Sequence, residues 1–165
     1  MLLDENGYAK LTDFGLAKMI KAQDLATTFC GTPEYLSPEV ILDQGCNRPV
    51  DWWSLGILVY EMIMGIPPFY SRSVQKMYKN TLVKQLKFKK NIKISPEGKD
   101  FISGLLNKKP QKRLGSIADS LEVMNHSWFK DFKWTELLSK RLEAPYKPFE
   151  KEKDWIKNFD PSFTK

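Results

Sequence analysis

The stretch "PVDWWSLGILVYEMIMG", residues 49–65, decides the fold. A proline stands ahead of a segment rich in apolar residues from Val50 to Met64, whose longest apolar run is Leu55 to Met64. Gly65 and then Pro67-Pro68 stop it, which is how helices commonly end. The segment is predicted to be one helix. Apolar side chains lie on nearly all of its sides, so it is predicted to be buried on most faces. It is too short to cross a bilayer, and Glu61 interrupts it. A carboxylate in such a helix is the odd residue.

Upstream, "MLLD" and "YAKLTDFG" flank the turn signal Glu5-Asn6-Gly7, the pattern of a small hairpin. "KLTDFGLAKMI", residues 10–20, reads as a short strand, a tight turn at Asp13-Phe14-Gly15 and a second strand. Residues 20–38 collect Thr27, Thr28, Gly31, Thr32, Pro33, Ser37 and Pro38, a loop by composition. Downstream the signals are helical. Ser73 to Val83 is one helix, and Ser95-Pro96-Glu97 caps another with Phe101, Ile102, Leu105 and Leu106 on one face. Asp119 to Asn125 is a short one. From Lys140 onward, irregular prolines and aromatics suggest an extended tail lying on a surface. The expected class is mainly α with a small N-terminal β-hairpin.

The 165 residues are 42% hydrophobic and 13% aromatic, which excludes wholesale disorder and suits about one domain. Residues 1–70 hold four Lys/Arg against nine Asp/Glu; residues 71–165 hold twenty-two against eleven. In "KQLKFKKNIK" the lysines alternate with apolar residues that could bury, so a solvated surface is favoured over a polyanion site. Cys30 and Cys46 lack metal spacing. With no secretory signal read at the start, a reducing cytoplasmic or nuclear setting is expected.

Four motifs then converge: Asp13-Phe14-Gly15, Ser37-Pro38-Glu39 within "GTPEYLSPEV", Asp51 opening "DWWSLG", and Arg113 in "KRLG". Together they resemble the C-terminal lobe of a eukaryotic protein kinase, with Ser37 in place of the usual alanine of the second motif. "TFCGTPEYLSPEV", "DWWSLGILVYEMIMGIPPF" and "NFDPSFTK" resemble the AGC group of Ser/Thr kinases: the cyclic-nucleotide-dependent kinases, protein kinase B and the serum- and glucocorticoid-regulated kinases. The resemblance covers essentially the whole chain. It implies a partial kinase domain over 1–129, a truncated α+β C-lobe, followed over 130–165 by part of the AGC C-terminal extension.

The resemblance also implies roles. Phosphoryl transfer needs Mg²⁺ to neutralise the phosphates of ATP, and Mg²⁺ needs only one or two protein carboxylates; Asp13 would be its ligand. Phe14 would pack under the site and Gly15 would let the turn swing. Thr28 would be the activation-loop phosphosite, facing Lys18, though Thr27 and Thr28 also read as plain loop hydroxyls. Thr32 would position the substrate hydroxyl. Glu34 and Glu61, read as exposed acids, would receive basic residues of the target peptide, or be ordinary solvated acids. Phe29, Pro33 and Leu36 would line the pocket for the residue after the target. Leu2, Thr12 and Phe159 would contact the nucleotide, with core packing an equal reading for Leu2. Glu39 and Arg113 should pair structurally. Asp51 would either cap its helix or bond the backbone of the catalytic loop.

The chain contains no G-x-G-x-x-G and no H-R-D-x-x-x-x-N; its one histidine is His126. By alignment Met1 falls one residue after a metal-binding asparagine, so the chain is expected to be a C-terminal fragment, inactive by itself. Three readings stay open: part of an AGC Ser/Thr kinase acting on basic protein segments and activated by an upstream kinase, a non-catalytic interaction module, or a nonfunctional remnant. No nucleic-acid partner is expected.

Overall fold

A computed structural model describes residues 1–21, 24–27, 30–148, 156 and 160–163. They fall into two compact units, one of residues 1–17 with 131–165 and one of residues 18–130. Among the described residues the only sheet is the hairpin of β1 (Leu2–Leu3) and β2 (Ala9–Lys10), antiparallel with Leu2 opposite Lys10. The helices are α1 (Pro38–Ile41), α2 (Pro49–Met64), α3 (Val74–Val83), α4 (Pro96–Leu105), α5 (Ser120–Met124) and α6 (Trp134–Leu138). The described residues are mostly helical with one small sheet, as the sequence pattern indicates.

In the first unit the hairpin turn is closed by Asp4, whose Oδ1 accepts from the amides of Asn6 at 3.1 Å and Tyr8 at 2.9 Å. These bonds, the Tyr8 amide first, hold the Asp4 carboxyl below its usual range, and Lys10 and Lys140 add to the effect. The Tyr8 hydroxyl donates to the Leu142 carbonyl. The Lys140 ammonium lies 5.7 Å from the centre of the Tyr8 ring. Residues after α6 therefore run along the hairpin. No second strand follows Asp13-Phe14-Gly15: residues 17–20 form neither helix nor strand. Apolar residues in alternation are not sufficient for a strand, which needs a hydrogen-bonded neighbour.

The second unit is built around α2. Its Pro49 takes the first helical turn, and Gly65 closes the helix in the left-handed region at φ 79°, where glycine carries no Cβ penalty. Trp53, Gly56, Ile57, Tyr60 and Met64 are buried, a stripe at helical spacing. The helix is covered on most faces, as expected; within it only Asp51 and Met62, the latter 68% exposed, face solvent. The stripe packs on α4. Gly56 permits the close approach: a Cβ there would lie 2.9 Å from Leu105 Cβ and from Leu106 Cδ2. Helices α3 and α4 start where their caps direct, with Ser73 Oγ accepting from the Lys76 amide and Ser95 Oγ from the Gly98 amide. Phe101 of α4 fills the base of the core, with ring centres of Trp128, Phe129 and His126 within 5.1 Å.

Ile57→Ala is expected to cost about 2–5 kcal/mol in urea unfolding, the range for truncating a buried aliphatic side chain. Met62→Ala, on the exposed side of the same helix, is expected to stay within about 0.5 kcal/mol.

Candidate functional site

Leu2, Thr12, Asp13, Phe14 and Gly15 belong to the first unit, and all five are exposed. Asp13 carries the unusual backbone of the group, at φ 64°. A non-glycine residue in the left-handed region stores strain, which aspartate tolerates better than most. Gly15 is not among the positive-φ glycines, so the left-handed residue of this turn is the aspartate. Phe14, expected to pack beneath the site, is 62% exposed. Leu2 is also exposed, which removes the core-packing reading. The cause is common to both: none of the described residues of this unit is buried, so it offers no interior to receive them.

No hydrogen bond or ion pair engages the Asp13 carboxylate among the described residues. That is a suitable donor for Mg²⁺, a hard cation that keeps most of its waters and takes one or two carboxylates. No cluster of three or more His, Cys, Asp or Glu side chains that could hold a metal ion occurs among the described residues. Thr28, Phe29 and Phe159 lie outside the described residues.

The second unit carries the remaining site residues. Lys18 and Thr32 are exposed. Thr32 has an extended backbone and its carbonyl accepts from the Tyr35 amide at 2.9 Å, starting a single 3-10 turn over Pro33–Tyr35. Pro33 and Glu34 are half-buried on that turn and Leu36 is buried just after it. Glu61, expected to be exposed, is half-buried as well. Its Oε2 accepts a hydrogen bond from the Tyr35 hydroxyl at 2.6 Å. Burial, then the bond to Glu61, pushes the Tyr35 phenol up to about 12. Ser54 of α2 donates to the Tyr35 carbonyl at 3.4 Å. The turn is thus fastened to α2 at two points, with one Glu61 oxygen committed and the other left to accept.

Tyr35 is a residue that sequence reasoning missed. The signal was present: a glutamate inside an apolar helix needs a donor, and a tyrosine hydroxyl in a half-buried turn needs an acceptor.

Glu39 and Arg113 meet in the interior. Arg113 Nη1 and Nη2 donate to Glu39 Oε1 at 2.7 Å and Oε2 at 2.9 Å, a bidentate pair with side chains 0% and 4% exposed. Arg113 also donates to the carbonyls of Pro49 at 2.8 Å and Asn107 at 3.1 Å. Its guanidinium lies 5.2 Å from the Trp53 ring centre. Two residues before Glu39, Ser37 Oγ is buried with no hydrogen-bond partner among the described residues.

Asp51 stands in the first turn of α2. Its carboxylate has no hydrogen-bond or ion-pair partner among the described residues, so it does not cap the helix by a side-chain bond. The residue as a whole is exposed, yet partial desolvation first and Asp119 second raise its pKa. Asp119 itself accepts from Trp52 Nε1 at 3.1 Å and from Arg48 at 3.3 Å. A carboxylate that is costly to keep charged and serves no local bond is a candidate functional group. Two concavities of this unit, about 370 and 280 Å³, lie around residues 44–49 and 108–111 and include, of the expected site residues, Glu39 alone.

Comparison with known proteins places the chain in a family. The family described as "Protein kinase domain" matches residues 1–129. The chain is 48% identical over its whole length to the serine/threonine-protein kinase YPK2/YKR2 of Saccharomyces cerevisiae, of which it covers 24%. It is 46% identical over 99% of its length to the serine/threonine-protein kinase gad8 of Schizosaccharomyces pombe, covering 28% of that protein. It is 47% identical over 99% to the serine/threonine-protein kinase Sgk3 of Rattus norvegicus, covering 33%. The chain belongs to the protein kinase family, within its AGC serine/threonine group. It spans about a quarter to a third of the length of these relatives.

Arg113→Ala is expected to cost about 3–5 kcal/mol, because it leaves Glu39 buried and unpaired; the urea midpoint reads the loss. Ser37→Ala, which removes an unsatisfied buried hydroxyl, is expected to be neutral or stabilising by about 1 kcal/mol. Tyr35 makes a pH-dependent contribution. Its folded pKa lies above the ordinary value of 10.0, so the stabilisation is complete below that pH and is lost as pH rises toward about 12. Tyr35→Phe is expected to flatten the stability profile across that window. For Asp51 the same sign applies to a carboxylate: its charged form is disfavoured in the fold. Asp51→Asn is therefore expected to raise the urea midpoint at neutral pH and to have no such effect well below 3.8, the ordinary Asp value.

Proposed function

We propose that these residues are part of an ATP-dependent protein serine/threonine kinase that phosphorylates Ser or Thr in basic segments of proteins. The observation that carries the reading is the unengaged Asp13 carboxylate at φ 64° in a chain matched by the kinase family. Bound Mg²⁺ supplies neutralisation of the phosphate oxygens of ATP as the γ-phosphoryl moves. Asp13 holds the ion, and Leu2, Thr12 and Phe159 contribute to the nucleotide site. Thr32 seats the substrate hydroxyl. Phe29, Pro33 and Leu36 border the position after the target.

Glu61 and Glu34 receive basic side chains of the substrate. Support comes from the Tyr35 bond to Glu61 Oε2, which fixes the carboxylate in place while Oε1 stays available for a guanidinium or ammonium. Thr28 is modified by an upstream kinase, and the added phosphate orders its loop against cations including Lys18. Asp51 is free to bond backbone amides of a catalytic loop. Free cysteines at Cys30 and Cys46 suit a cytoplasmic or nuclear protein.

The 165 residues by themselves hold no glycine-rich phosphate loop and no H-R-D base, so the chain alone is expected to give no turnover.

The test is a kinase assay on protein extended upstream of Met1. Asp13→Asn is expected to lower kcat by about 10²-fold or more, the scale of losing one transition-state charge stabiliser. Unchanged turnover removes the metal-ligand assignment. Glu61→Gln is expected to raise KM for a basic peptide and leave KM for ATP unaltered; equal effects on both rule out the substrate-binding role.

A further inference from the structure

Residues 72–112 hold twelve Lys/Arg and two Asp/Glu. The segment from Lys84 to Ile94 holds five lysines and no acid. It is neither helix nor strand, yet it is pinned. The Tyr60 hydroxyl donates to the Lys87 carbonyl at 2.7 Å. Lys89 Nζ donates to the Met64 carbonyl at the end of α2, at 2.7 Å. Lys108 Nζ donates to the Lys84 carbonyl.

Between these points Leu86, Phe88, Ile92 and Ile94 turn inward and pack against the core. Lys84, Lys87, Lys90 and Lys93 are left exposed. None of these four side chains has an ion-pair or hydrogen-bond partner among the described residues. The apolar residues that suggested a merely solvated segment are what hold the four ammonium groups outward at three-residue intervals.

We propose that the ridge of Lys84, Lys87, Lys90 and Lys93 is a docking surface for an anionic lipid bilayer. Charge complementarity gives the sign of the partner, and the side-chain types select among anions. No arginine occurs between Arg72 and Arg113, so the ridge lacks the planar forks that grip individual phosphates in two-point bonds. Its lone aromatic, Phe88, packs near Tyr60 with ring centres 5.9 Å apart, so no ring is offered to stack on bases. What remains is an array of compact point charges, which suits the diffuse potential of a phosphatidylserine-rich leaflet. Exposed Val83 beside Lys84 adds a small apolar contact.

Each lysine near such a surface contributes about fivefold to partitioning, and the attraction fades within a Debye length. The test is co-sedimentation of the 165-residue chain with vesicles of phosphatidylcholine alone and of phosphatidylcholine mixed with phosphatidylserine. The chain is expected to sediment with the mixed vesicles only, and to be released as salt is raised. Lys84→Gln, Lys87→Gln, Lys90→Gln and Lys93→Gln combined are expected to weaken binding about 10²- to 10³-fold, while arginine at the same four positions retains it. Equal binding to neutral vesicles, salt-insensitive binding, or an unchanged glutamine variant overturns the proposal. So does tighter binding to a single-stranded oligonucleotide than to the mixed vesicles. Should the glutamine variant unfold, the lipid and salt dependence of the unmodified chain decides.

Discussion

The structure of the larger unit depends on one buried ion pair. Arg113 and Glu39 are 74 residues apart in sequence, and their side chains meet in two parallel hydrogen bonds with almost no exposure. Desolvating both charges is expensive, and the cost is met only when every donor and acceptor is used. Here that condition is nearly fulfilled, since the guanidinium also bonds the carbonyls of Pro49 and Asn107. One side chain thereby joins the residues of α1, the start of α2 and the loop after α4. Such an arrangement does little for net stability against an apolar alternative, but it admits few competing packings.

The same joint has a consequence for the substrate side. Glu39 follows the Pro33–Tyr35 turn by four residues, and that turn presents Thr32, Glu34 and Tyr35. The Tyr35 bond to Glu61 fixes the turn from the other side. Between the two anchors the turn has little freedom to wander. The Glu61 carboxylate is thus held in place by a hydrogen bond rather than by loop composition, which carries no such constraint.

How much of this was legible in the sequence differs by physical cause. Helix α2 was readable because its signals are local: an apolar run, a proline in the first turn and Gly65 at the stop. The Ser73 and Ser95 caps were readable for the same reason. The burial of α2 on most faces was readable too, from apolar side chains on nearly all sides; that Met62 alone among the apolar residues of the helix lies uncovered was not, because periodicity does not show what covers a face. The predicted strand after Gly15 failed for want of a pairing partner. The pairing of Arg113 with Glu39 was accessible through family resemblance alone, since no local rule connects positions so far apart. Tyr35 was overlooked because its role appears only when two loops of reasoning meet, one about a lone acid in α2 and one about a hydroxyl in a turn. Phe14 was assigned the packing that the wider family implies, whereas in this chain its ring is open to solvent; the left-handed backbone at Asp13 had no local signal.

The division between a unit with an interior and a unit without one sets a gradient of local opening. Amides of α2 and α4 are locked behind Trp53, Ile57 and Phe101, so deuterium reaches them only when the larger unit opens as a whole. The hairpin and the Asp13 segment have no buried residue to delay exchange, and they breathe at little free-energy cost. Among the described residues, the Asp13 segment therefore belongs to the part of the chain whose order a bound partner can most readily change.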